Sequence, residues 1–513
     1  MSEIVLEAGM LTLKTLSELR HQKIVLSKES ENQIHASHQY IQEVIQSGQT
    51  IYGVNTGFGK LANQRIAPKD LTILQHNLIL SHAVGVGEAL PNEIVALILL
   101  LKINSLALGF SGVSLNLVHR LVSLFNEKIY PKVPAKGSVG ASGDLAPLAH
   151  ISCTLLGVGD CWYQGKWRPA SVVLKESKQE PLQLGPKEGL ALINGTQVST
   201  AIAVDALIKV RTLFETALIA GSLTLDAVMG SDLPFIGDIH RIRGQSGQQK
   251  VAACLLGLMS ESEIRRSHAE HCDKVQDPYS LRCQPQVMGA ILDQIQYCAD
   301  ILEKECNAVT DNPLIFSNER RILSGGNFHA EYVAFAADAL AIAISEISAL
   351  SERRIALLMD NHMSGLPLFL VREPGLNSGL MIAQVTAAAL ASENKSLCFP
   401  NSVDSLPTSA NQEDHVSMAT HAAWRLHRML DNLASILAIE LIAACQGIDF
   451  RSPLKTAMQL MKMHQAVRQR VAFIEKDRWL APDIEIIKIA VLEGVFALKA
   501  EKDLNSESLW KKS

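Results

Sequence analysis

The chain has 513 residues, longer than one hydrophobic core usually supports, so several domains or a large helical assembly are expected. Hydrophobic residues make up 48% and charged ones 19%, the balance of a globular protein with much buried surface, and aromatics are only 5%. A net charge of −5, with no basic cluster interleaved with aromatics, gives no electrostatic footprint for nucleic acid, which is not expected as a partner.

Taken in chain order, the start MSEIVLEAGM has early acidic residues and no basic stretch leading into an apolar run, so no signal peptide is expected. The loop-rich stretch YGVNTGFGK follows at 52–60. The greasiest segment, IVALILLL at 94–101, stops at Lys102 and is too short to span a bilayer, so no membrane attachment is expected. Glycines and serines cluster in GSVGASGDLAPLAH at 137–150. Strand patterns are few, the best being SVVL at 171–174. After the LINGT turn at 192–196 a long helical pattern covers 200–230.

Further punctuation falls in VQDPYSLRCQPQ, LSGGNF and FPNSVDSLPTSANQED, read as loops or helix ends. Between them, residues 335–358 place Leu340, Ala343, Ile344, Ile347 and Leu350 on one helix face, with Asp338, Ser345, Glu346 and Glu352 elsewhere. Another helical pattern starts at Leu376 and runs through QVTAAALASENKSL. Residues 421–445 are apolar nearly all round after Asn432, which predicts a helix buried inside a bundle. The chain therefore reads as mainly α, with a loop-rich N-terminal domain over 1–200, a central long-helix bundle over 201–450 and a C-terminal helical section over 451–513. Nine scattered cysteines without a CxxC pair favour reduced thiols and a cytoplasmic location. In SHAEHC, His268, His271 and Cys272 have helix-compatible metal spacing, yet no fourth ligand group is evident nearby, and no metal is expected.

The glycine cluster demands a reason, because glycine inside a helix costs about 1 kcal/mol against alanine. A phosphate cradle is disfavoured, since neither GxxxxGK[ST] nor a GxGxxG after a strand is present. Two readings remain. One is a turn before a helix capped by Asp144. The other is chemical: with the backbone bent back, the Gly143 nitrogen attacks the Ala141 carbonyl carbon and closes a five-membered ring. Loss of two waters, one taking the Ser142 hydroxyl, then leaves an exocyclic methylene. Glycine supplies an unhindered nitrogen, serine the hydroxyl to eliminate, and alanine little bulk.

GSVGASGDLAPLAH resembles the signature of the ammonia-lyases that carry a methylidene-imidazolone (MIO) prosthetic group, formed from Ala-Ser-Gly. Further matches in the family's order are YGVNTGFG, QHNLILSHAVGVGE, LINGTQ, VQDPYSLRCQPQVMG, SGGNFHAE and SVDSLPTSANQEDHVSM, so the resemblance covers most of the chain. It implies an aspartase/fumarase-like long-helix bundle, a homotetramer with shared active sites, and MIO built from Ala141, Ser142 and Gly143 with no external cofactor. Within the family the likeness is to the branch that converts L-histidine to trans-urocanate and ammonium, the first step of histidine degradation. The resemblance makes Tyr52 the base for the β-proton, with Glu413 a competing candidate, and sets Tyr279 as a phenol near the prosthetic group. It gives His82 the substrate's imidazole, with Glu413 on the other ring nitrogen, a pairing that would reject phenyl and phenol side chains by leaving polar groups unpaired. It gives Arg282 the substrate carboxylate, Asn194 the ring carbonyl of MIO, and Gln276 and Phe328 the lining of the site. Two rivals stand beside this reading: a tyrosine or phenylalanine ammonia-lyase or aminomutase, against which the His82–Glu413 pair argues, and a catalytically silent helical assembly protein.

Overall fold

The computed structural model describes residues 3–269, 275–498 and 509–510. The chain divides into two units: one of residues 1–205, 299–338 and 400–425, the other of 206–298, 339–399 and 426–513. Four long helices, Gln197–Ala227, Gln284–Cys306, Glu331–Met359 and Ala419–Phe450, each contribute residues to both.

The first unit has a core of short helices edged by small sheets. Its central helix, Asn92–Ala107, is buried at every position from Ile94 to Ala107, the continuous burial that an unbroken apolar run requires. Lys102, which looks from the sequence like the end of that run, is inside it and 3% exposed. The helix Leu115–Asn126 adds Leu117, Val118, Leu121 and Leu124 to the core, with the Ser114 hydroxyl accepting from the Leu117 amide at its start. Strands Tyr130–Pro131, Asp160–Tyr163 and Lys166–Pro169 form an antiparallel sheet, and Val86–Ala89 pairs antiparallel with Pro134–Lys136.

The second unit is built of helices among its described residues, and its interior carries a deep charge pair. Arg354 reaches Glu440 through Nε–Oε1 at 2.5 Å and Nη2–Oε2 at 2.9 Å, and Thr224 Oγ1 donates to the same carboxylate at 3.0 Å. Such a pair persists in a dry bundle because its remaining lone pairs are satisfied. The helices Glu331–Met359 and Ala419–Phe450 are long and apolar enough to cross a bilayer, but 67% and 83% of their apolar windows are buried within the protein.

Several sequence expectations need correction. The SVVL stretch is helical, inside Ala170–Glu176: Ala170, Val173 and Leu174 are buried at spacing i, i+3, i+4, so tertiary contact overrides β-branched propensity. The pattern starting at Leu376 becomes a helix only at Met381. The VQDPYSLRCQPQ stretch, read as a loop or helix end, does hold a helix end, the start of Gln284–Cys306, and adds the short helix Tyr279–Arg282. In Glu331–Met359, Asp338, Ser345 and Glu352 are each only 6% exposed, so the expected polar side is largely covered; Asp338 survives burial by pairing with Arg425.

Candidate active site

Ala141, Ser142 and Gly143 lie in a loop just before the helix Leu145–Leu155. Gly143 has φ +76°, and a Cβ there would stand 2.2 Å from the Gly195 carbonyl oxygen, so only glycine fits. Gly143 and Gly195 form a backbone bridge, and the Asp144 amide donates to the Gly195 carbonyl at 2.8 Å. The LINGT turn is thereby tied to the Ala-Ser-Gly loop. Asn194 at its head is 4% exposed; its Nδ2 donates to the Asn312 carbonyl at 3.2 Å, while Oδ1 is buried without a partner.

Asp144 does not cap the helix it precedes; its side chain makes no cap hydrogen bond there. The carboxylate instead accepts from Ser138 Oγ at 2.8 Å, from the Ser199 amide and Oγ at 2.7 and 2.9 Å, and from Thr420 Oγ1 at 2.6 Å. One fully buried group thus joins the loop to two helices. A second brace comes from Lys102, whose Nζ donates to the Ala191 and Asn194 carbonyls at 3.0 and 2.8 Å. These oxygens belong to the C-terminal turn of Glu188–Ile193 and its cap, where carbonyls lack partners and a cation is welcome. Burial pushes the Lys102 ammonium down to about 7, against the raising influence of Asp311. The composition pointed to neither brace, although a lysine inside an apolar helical run was the available signal for Lys102.

Glu413 sits in a loop held under strain. Ser409, Ala410 and Asn411 have φ of 50°, 54° and 63°, three successive non-glycine residues in the left-handed region. The Glu413 carboxylate accepts from Ser142 Oγ, from Thr408 Oγ1 at 2.6 Å and from Ser409 Oγ at 2.8 Å. Burial raises its pKa, but these three donors, joined by His82 when that ring is protonated, outweigh burial, so the carboxyl lies below the usual glutamate value. His82, the last residue of Leu71–His82, is lowered chiefly by burial, opposed by its hydrogen bond to Leu78 and by Glu413. At neutral pH the pair is therefore a neutral imidazole facing a carboxylate.

The same unit holds Tyr52 and Phe328, both half-buried. The Tyr52 hydroxyl accepts from the Gly59 amide at 3.2 Å, which fixes the phenol across its own glycine turn. The loops of this unit are stitched by Met418 N to Val139 O at 2.8 Å, Ser417 Oγ to Gly140 O at 3.0 Å and Ala330 N to Gly140 O at 3.2 Å. Tyr52, His82, Ala141, Ser142, Gly143, Asn194, Phe328 and Glu413 thus all belong to one unit.

Gln276, Tyr279 and Arg282 belong to the other unit. Gln276 and Arg282 line an open cleft of about 420 Å³ together with Arg265 and His268. Arg282 Nε donates to the Asp277 carbonyl at 3.0 Å, and its guanidinium lies 4.6 Å from the Tyr279 ring centre. Tyr279 is 70% exposed. Of the SHAEHC residues, His268 directs Nδ1 to the Ile264 carbonyl at 3.0 Å, as a helix-end histidine does, while His271 and Cys272 lie outside the described residues.

The chain belongs to the aromatic amino acid lyase family, whose model matches residues 11–469, and it is a carbon–nitrogen lyase. Among its relatives is the histidine ammonia-lyase of Legionella pneumophila, 57% identical over 97% of this chain and 98% of the relative. Among solved structures it resembles the histidine ammonia-lyase of Trypanosoma cruzi at 40% identity, with a TM-score of 0.88 and coverage of 96% and 94%. It also resembles the phenylalanine aminomutase of Pantoea agglomerans at 32% identity, with a TM-score of 0.92 and coverage of 95% and 99%.

Proposed function

We propose that this chain eliminates ammonia from L-histidine to give trans-urocanate, using an MIO group formed from Ala141, Ser142 and Gly143. The observation that carries the substrate is the near-full-length 57% identity to a histidine ammonia-lyase, combined with a neutral His82 beside an ionised Glu413. The residues present fit the prosthetic group. Gly143 has a left-handed backbone with no room for a Cβ and Ala141 is buried, while the Asn194 amide, which spends one N–H on the Asn312 carbonyl, keeps a second for the ring carbonyl. When formed, MIO supplies an electrophile that helps the amine depart.

The chain's own groups do the rest. Glu413 draws the Ser142 hydroxyl by a hydrogen bond, aligning the group that must leave during maturation. Toward substrate, His82 and Glu413 bracket the imidazole, one on each ring nitrogen. With three donors lowering it, Glu413 is a weak proton acceptor and suits charge pairing; Tyr52 then takes the β-proton. Arg282 holds the carboxylate with its planar fork, Gln276 and Phe328 line the site, and Tyr279 faces the prosthetic group.

The protein works as a homotetramer in which the segment bearing Gln276, Tyr279 and Arg282 completes the site of a neighbouring copy; the 70% exposure of Tyr279 supports this. None of the eight cysteines among the described residues is joined in a disulfide, which suits the cytoplasm. No metal takes part in the elimination. Intact-mass measurement tests the maturation: the expected mass is the sequence mass less two waters, roughly 36 Da. Urocanate should then appear from L-histidine with no added cofactor, and an unmodified mass together with no product would overturn the proposal.

A further inference from the structure

Beside the Glu413 loop stands a group of donors that elimination does not use. His329, Glu331 and His415 bring one ligand atom each to within 4.8 Å of one another, all in the first unit. His329 Nε2 lies 3.2 Å from the His415 carbonyl oxygen, a contact in which the ring nitrogen must carry the proton. In the neutral ring that leaves a lone pair on Nδ1. This Nδ1 faces Glu331 Oε2 at 3.7 Å, too far for a hydrogen bond, and that carboxylate oxygen is buried with no hydrogen-bond partner. In that neutral tautomer two acceptors face each other across 3.7 Å. The His415 ring lies parallel to His329, within 3° and 5.7 Å centre to centre, and brings the third donor.

We propose that His329, Glu331 and His415 form a site for a divalent transition cation of the Zn²⁺ type. Two imidazoles and a carboxylate suit this ion class, and bonds of about 2.0–2.2 Å put neighbouring ligand atoms roughly 3.3–3.6 Å apart in a tetrahedron. The 3.7 Å between Nδ1 and Oε2 closes to that spacing with a small side-chain rotation. The His415 carbonyl, holding the other nitrogen of His329, is the kind of outer partner that orients a ligating histidine. A water fills the fourth position. His329 directly follows Phe328, and His415 lies two residues after Glu413, so the ion ties together the loops carrying those two side chains.

The test uses the full-length protein, stripped with a chelator and then dialysed against ZnCl₂. Wild type should retain about one Zn²⁺ per chain, show a zinc-dependent rise in Tm, and give a tetrahedral visible spectrum with Co²⁺ in its place. Glu331→Gln and His415→Ala should lose all three signals while keeping the wild-type Tm in chelator, which shows that they fold. His271→Ala, in the SHAEHC segment, should keep them. The proposal fails if wild type retains no zinc, if Glu331→Gln and His415→Ala bind it as wild type does, or if His271→Ala abolishes binding. None of these readouts depends on histidine elimination.

Discussion

The loop around Ala141, Ser142 and Gly143 and the segment around Gln276, Tyr279 and Arg282 are held in opposite ways. The first is fixed from behind by buried polar groups: Asp144 accepts four hydrogen bonds and Lys102 donates to two carbonyls. The second is held more lightly, by Arg282 Nε on the Asp277 carbonyl and the Ser231 amide on the Asp277 carboxylate, and it leaves Tyr279 open to solvent. A backbone that must react with itself needs angles imposed on it, and an unsatisfied buried carboxylate would cost far more than a surface one. A segment that meets a substrate or a neighbouring copy needs open surface instead. Maturation and binding should therefore fail separately.

The largest separation is expected from Ser142→Ala, which lacks the hydroxyl to eliminate: activity falls about a thousand-fold or more, with the fold intact and both waters retained in the mass. Arg282→Lys should mature normally, with unchanged mass, but raise KM for L-histidine and lower kcat/KM about ten- to a hundred-fold, because an ammonium cannot grip a carboxylate bidentately. Lys102→Met sharpens the picture of the first region through pH. Free lysine titrates near 10.5 and Lys102 near 7, so over that window the unfolded chain binds more protons than the native one. This residue makes wild-type stability rise with pH between those values and adds no slope below 7; Tm measured across the window should show a flatter profile in Lys102→Met. The smallest effect belongs to Ser409→Ala. Removing one donor raises the Glu413 pKa, so the acid limb of the kcat/KM profile, where Glu413 becomes protonated, moves to higher pH.

What the sequence disclosed follows from where the physics is local. The long helices were legible because residues such as Leu340, Ala343, Ile344 and Ile347 repeat with the helical period, and all four are buried. The special place of glycine at 143 was legible because both readings of the cluster, a turn and a ring closure, call for an unhindered backbone there. Long-range partners were not legible. Nothing near Asp144 in sequence announces Ser199 or Thr420, so a helix cap was the natural expectation for its carboxylate. The SVVL stretch has a strand's composition, and only contact made after folding shows its helical spacing. The burial of Asp338, placed off the apolar face of its helix, was not legible because the Arg425 that pairs with it lies far along the chain.

The most direct measurement is ultraviolet absorbance of purified protein incubated separately with L-histidine, L-tyrosine and L-phenylalanine, since each lyase product is a conjugated acrylate that absorbs where its substrate does not. The account predicts a rise with histidine alone. A rise with tyrosine or phenylalanine would contradict the His82–Glu413 pairing while keeping the electrophile, and no rise with any of the three would contradict the account at its root.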